Sequence, residues 1–180
     1  MRKYLFALLV LVAAGTTLLV AAFAVAGSGS NKLSAKDGLI GYQEVPAVST
    51  TGNGTFEANV NDDGSSFDWT LSYSGLEGAV TQSHIHFAQR SVNGGISIFL
   101  CSNLGNGPAG TPPCPPSPAT ISGTADASDM TAGAVAQGIA AGEFDEILAA
   151  IRAGKAYANV HSTTWPGGEI RGQLNDPNDK

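Results

Sequence analysis

The stretch Gly54–Leu76, GTFEANVNDDGSSFDWTLSYSGL, decides the fold class. Its first arm alternates, with Phe56, Ala58 and Val60 on one side and Thr55, Glu57 and Asn59 on the other. The second arm repeats the pattern with Phe67, Trp69, Leu71 and Tyr73. Successive side chains of an extended chain point to opposite faces, so each arm reads as a half-buried strand. Asn61-Asp62-Asp63-Gly64 supplies turn residues between the arms, and together they predict a β-hairpin.

The same reading extends outward. Asn93-Gly94-Gly95 is a turn, and Ile96, Ile98 and Leu100 in ISIFL alternate after it. ATISGTAD from Ala119, KAYANVH from Lys155 and GEIRGQL from Gly168 are further strand candidates. One segment breaks the two-residue period: Phe144, Ile147, Leu148 and Ile151 recur at the spacing of one helix face. Glu143, Asp145 and Glu146 at its start, Arg152 near its end and Gly154 after it match the helix dipole and a stop signal. Thr131–Ala141, rich in Ala and Gly, reads as a helical turn or a loop. Many short strands with Gly-rich turns and one amphipathic helix, about 142–153, predict a mainly β fold, a β-sandwich or β-barrel.

Length and charge narrow the classes. The chain has 180 residues, 43% of them hydrophobic, enough for one domain with its own core. Arg2 and Lys3 precede an apolar run from Leu5 to Ala26 that ends in the small-residue pattern Ala24-Val25-Ala26. Residues 1–26 therefore read as a secretory signal peptide or as an uncleaved N-terminal membrane anchor, and either one exports the domain. Residues 27–37 read as a flexible linker, 38–174 as the domain and 175–180 as a polar tail. Removing residues 1–26 leaves 7 basic against 15 acidic residues, a net charge of −8. Such a surface argues against nucleic acid and anionic lipid, so membrane contact would run only through the N-terminal segment. Cys101 and Cys114 bracket a Gly/Pro loop in an exported chain, which favours a disulfide over two thiolate ligands.

All 3 histidines fall in two strand candidates. In SHIHF, Ser83–Phe87, Ile85 and Phe87 form the apolar side, so His84 and His86 project from the other. In YANVH, Ala158 and Val160 leave Tyr157, Asn159 and His161 opposite. In GEIRGQL, Glu169, Arg171 and Gln173 lie opposite Ile170 and Leu174. If these strands are neighbours, His84, His86 and His161 can share one copper or zinc ion, because H-x-H on a strand sets two imidazoles side by side. The alternative is a set of hydrogen-bonded polar residues on an outer face or in a cleft. Glu169 and Arg171 read as a same-face salt bridge, with Arg171 as an anion binder or a partner of Glu44 as alternatives. Trp165-Pro166-Gly167-Gly168 predicts a turn. No nucleophile elbow, P-loop or dinucleotide fingerprint is present, which argues against an enzyme. A hydrolytic zinc site would need Glu169 or Glu44 as its base.

Taken together, GYQEVPAV, SHIHFAQRSVNGGISIFLC and GKAYANVHSTTWPGGEIRGQL resemble the CHRD family, the domain first described in chordin. The resemblance spans roughly Leu39 to Leu174. It implies an immunoglobulin-like or superoxide-dismutase-like β-sandwich or barrel in secreted and cell-surface proteins. His84 and His86 look like the H-x-H copper ligands of Cu,Zn superoxide dismutases, with His161 in the place of a later ligand. The bridging histidine and the zinc aspartate of those enzymes have no counterpart, so a mononuclear three-histidine site is the most the resemblance supports. The expectation is an exported, non-enzymatic binding or structural module, partnered by an extracellular protein or envelope component. The alternative is a mononuclear copper- or zinc-binding protein with a redox or metal-handling role.

Overall fold

Period-2 alternation becomes strand throughout the domain. The computed structural model describes residues 31–175. The signal or anchor segment, the first residues of the linker and the tail beyond Asn175 lie outside the described residues. The strands are β1 (Lys32–Ser34), β2 (Leu39–Ile40), β3 (Asn53–Val60), β4 (Ser66–Ser74), β5 (Val80–Phe87), β6 (Gly95–Ser102), β7 (Ala119–Asp126), β8 (Ala156–Ser162) and β9 (Ile170–Leu174). The helix α1 covers Phe144–Arg152, within the stretch its periodicity marks. A 3₁₀ turn at Ala132–Gln137 resolves the Ala/Gly-rich segment before it.

The strands pair antiparallel in one 9-stranded sheet, ordered β6-β5-β8-β9-β2-β3-β4-β7, with β1 also on β3. The segment after β7 returns to β6 through an isolated bridge, Met130 to Ile98, so the sheet nearly closes into a barrel. The predicted hairpin is the β3–β4 pair, with Phe56 opposite Leu71 and Ala58 opposite Trp69. Phe56, Phe67, Leu71, Ile85, Ile98, Leu100 and Ile170 fill the core, and α1 docks on it through Phe144, Ile147, Leu148 and Ile151. The Phe144 ring meets Phe67 at 5.4 Å between centroids.

The linker needs a correction. Lys32–Ser34 is polar enough to look unstructured, yet it pairs with β3, and Leu33 enters the core with none of its surface exposed. A single well-placed apolar residue between hydrogen-bonded neighbours is enough to pin such a short strand. Asn175 fixes the other end of this contact, because its side-chain oxygen accepts from the Ser34 amide at 2.8 Å.

The sheet has two regimes of burial. Strands β3 and β4 keep one face in solvent, as alternation predicts. Every residue of β8 and β9 is buried, so both of their faces are covered. One face packs on the apolar core. The other carries Tyr157, Asn159, His161, Arg171 and Gln173 beneath connecting loops.

Cys101 and Cys114 form a disulfide. It closes a loop of 13 positions whose cysteines are both buried. Loop-closure entropy gives such a bond about 3 kcal/mol. A Cys101→Ser/Cys114→Ser protein should lose about that much stability in urea unfolding while keeping its β-type circular dichroism. Unchanged stability would mean that the loop is held by its other hydrogen bonds.

Candidate metal centre

The centre lies on the polar face of β5, β8 and β9. His84 and His86 stand on β5, and His161 stands on β8 beside it, where His84 pairs with Asn159 and His86 with Tyr157. Their alternation is as the sequence predicts, but the face is not open to water. His84, His86 and His161 are 0%, 7% and 6% exposed. Three loops make the cover, and each is tied down by a polar residue of the face.

The loop between β5 and β6 is held by β9. The Arg171 guanidinium donates to the Val92 carbonyl at 2.9 Å and, at 3.3 Å, to the Gln89 carbonyl and the Asn93 side chain. Gln173 donates to the Ala88 carbonyl at 2.8 Å. The segment after β2 lies across β9, where Gln43 accepts from the Gln173 amide. The Trp165–Gly168 turn closes the remaining side, its Gly168 amide donating to the Trp165 carbonyl. Gly168 has φ of +127°, and a Cβ there would strike the Glu44 carboxylate. Glycine is therefore required twice, by backbone conformation and by space.

Ligand atoms from the histidines lie within 4.8 Å of one another. His84 Nδ1 and His161 Nε2 are 3.2 Å apart. Nitrogens about 2.0–2.1 Å from one ion, at tetrahedral or trigonal angles, would be roughly 3.3–3.6 Å apart. The triad therefore needs only a small side-chain contraction to meet at one point. His86 Nδ1 lies 2.9 Å from the Gly94 carbonyl, and His161 Nδ1 lies 2.9 Å from the Pro166 carbonyl. A carbonyl can only accept, so each Nδ1 carries its proton and each Nε2 offers a lone pair. Backbone carbonyls commonly orient metal-bound imidazoles in this way. His86 Nε2 and His84 Nε2 are buried without a hydrogen-bond partner among the described residues, as is Asn159 Oδ1 next to them. Orphaned atoms of this kind are costly, and a bound cation would satisfy the imidazole lone pair of His86. The residues present fit one copper or zinc ion.

Burial also keeps the imidazoles neutral. It pushes His84 down to about 2 and His86 to about 4, and lowers His161 as well. Neighbouring imidazoles add to the effect on His84. A neutral imidazole is the form that binds metal.

The other predicted residues divide. Glu169 and Arg171 are both fully or almost fully buried, and neither pairs with the other. The Glu169 carboxylate instead accepts from Thr50 Oγ1 and the Glu77 amide, each at 2.7 Å, and so ties two loops to the start of β9. The exposed salt-bridge reading fails because the loops that Arg171 and Glu169 hold also bury them. Burial raises Glu44 to about 7, against the pull of the nearby Arg171 charge. Trp165 turns away to Glu77, its indole N–H donating at 3.0 Å. Two further residues of the polar face join the site. Tyr157 stacks on His86 with centroids 4.6 Å apart, and Asn159 lies among His84, His86 and Glu44. The signal for both was the alternation that places them beside His161.

A nearly closed antiparallel barrel with a buried histidine triad defines the class. Residues 37–174 match the CHRD domain, and the chain belongs to that family. No curated protein and no solved structure matches it.

Acid should weaken the metal-free fold. An unfolded histidine takes up a proton near its ordinary 6.5, whereas the buried ones do so only at lower pH. Unfolding then takes up protons below about pH 6.5, and stability falls with pH. Glu44 acts in the opposite sense, because folded it keeps a proton up to about 7 and unfolded it releases one near 4.5. Three imidazoles outweigh one carboxyl. Urea unfolding of the metal-free protein should show a loss on the order of 2–4 kcal/mol between pH 6.5 and 5. A flat profile would mean that the imidazoles are solvated.

Proposed function

We propose that this chain is an exported CHRD-domain protein whose His84, His86 and His161 hold a single copper or zinc ion. The observation that carries the reading is the convergence of three buried, neutral imidazoles, two of them with their tautomer set by a backbone carbonyl. An ion there would supply structural cross-linking of β5 to β8 and, if copper, one-electron redox capacity. The disulfide and the CHRD assignment support a location outside the cytoplasm.

The reading is non-enzymatic. Glu169 Oε1 accepts from Thr50 and from the Glu77 amide, which fixes the carboxylate between two loops at the start of β9 and gives it a structural role there. The closed cover over the histidines suits retention of an ion better than turnover of a substrate. In this view the domain is a metal-stabilised module of the cell surface or exterior, presented to an extracellular protein or envelope component.

The purified domain should take up about one equivalent of copper or zinc per chain, and a His84→Ala/His86→Ala protein should take up none. Because the ion binds only the folded state, free metal at a hundred times its Kd should add about 2.7 kcal/mol to stability in the parent and nothing in the variant. Equal metal content in the two proteins would refute the site.

A further inference from the structure

A buried arginine sits one aromatic ring away from the triad. Arg171 Cζ lies 3.3 Å from the Tyr157 ring centroid, and that ring stacks on the His86 imidazole with planes 3° from parallel. The three residues come from β9, β8 and β5, which are successive neighbours in the sheet. Arg171 is 1% exposed. Its hydrogen bonds run to two backbone carbonyls and the neutral Asn93 side chain, and it makes no ion pair within 4.0 Å among the described residues. Glu44 and Arg90 are the charged groups that act on it at longer range.

The ligand set is neutral too, with imidazoles alone in the cluster. A divalent ion would place two charges, without an anionic ligand, in a water-poor layer that already holds a cation. The cost of burying an ion grows steeply with its charge, and repulsion from Arg171 scales with it as well. Imidazole suits both copper and zinc. Cu(I) and Zn(II) share a filled d shell, so charge is the main difference the protein can sense between them.

We infer that Arg171, acting through the Tyr157 ring, biases the histidine triad toward a monovalent cuprous ion over divalent zinc. The inference rests on the triad being a metal site. Tyr157 fills the space between the guanidinium and His86 and so keeps water from screening the charge. At an effective dielectric of ~20, a unit charge on the order of 8 Å away changes affinity by roughly 30-fold for each unit of metal charge. Arg171 is a positioning residue in this scheme and touches no metal.

The test is the ratio of the Zn(II) to the Cu(I) dissociation constant at pH 7.5. Cu(I) affinity is read by competition with bicinchoninate under ascorbate, and Zn(II) affinity against a chromophoric chelator. Arg171→Met should lower the preference for Cu(I) roughly 30-fold, and Arg171→Lys should restore it to within about threefold of the parent. Glu44→Gln removes the opposing carboxylate and should raise the preference several-fold; this variant decides the matter if Arg171→Met does not fold. A ratio that moves less than about threefold in every folded variant, with both ions still bound at the histidines, overturns the inference and leaves the site standing. Failure of the parent to bind either ion removes the site and the inference together.

Discussion

Strand β8 is buried on both faces, and most of the structure follows from that constraint. Its Ala156, Ala158 and Val160 pack on the apolar core. Its Tyr157, Asn159 and His161 face a second interior, in which every polar atom needs a partner or carries a desolvation cost on the order of 1–3 kcal/mol. The loops supply those partners. Backbone carbonyls of Gln89, Val92, Gly94, Pro166 and Ala88 point inward to Arg171, His86, His161 and Gln173. The connections that cover the face are thus shaped by the side chains they cover.

Not every buried polar atom finds a partner in this way. Among the described residues the buried side-chain atoms without a partner are His84 Nε2, His86 Nε2, Asn159 Oδ1, Glu44 Oε1, Ser97 Oγ, Glu169 Oε2 and Gln173 Oε1, and the first three belong to the triad and its neighbour Asn159. A core selected for stability alone would place apolar groups there, since replacing buried polar sets with well-packed hydrophobic ones is often neutral or favourable. The retention of neutral imidazoles aimed at one point is what a cation site requires. Arg171 serves two ends in this layer, as the clasp of the β5–β6 loop and as the charge next to the site.

Much of this was legible in the sequence. The alternation in Gly54–Leu76 gives the β3–β4 hairpin, the spacing of Phe144, Ile147, Leu148 and Ile151 gives the helix, and SHIHF together with YANVH puts the histidines on a shared side. Burial of that side was not legible. A two-residue period reports only that two faces differ, and a polar face under loops has the same pattern as one in water. For this reason Glu169 and Arg171 read as a surface pair, although each holds a covering loop. Tyr157 was visible as a neighbour of His161, but its stacking between His86 and Arg171 depends on the order of β5, β8 and β9. Leu33 was lost in a polar stretch because one residue cannot establish a period.

X-ray absorption on the copper- or zinc-loaded domain reads the ligands of the ion itself. Binding at His84, His86 and His161 should give a nitrogen shell at about 2.0–2.1 Å with the outer-shell scattering of three imidazoles. A spectrum of oxygen ligands without imidazole features would place the ion elsewhere and contradict binding at the histidines.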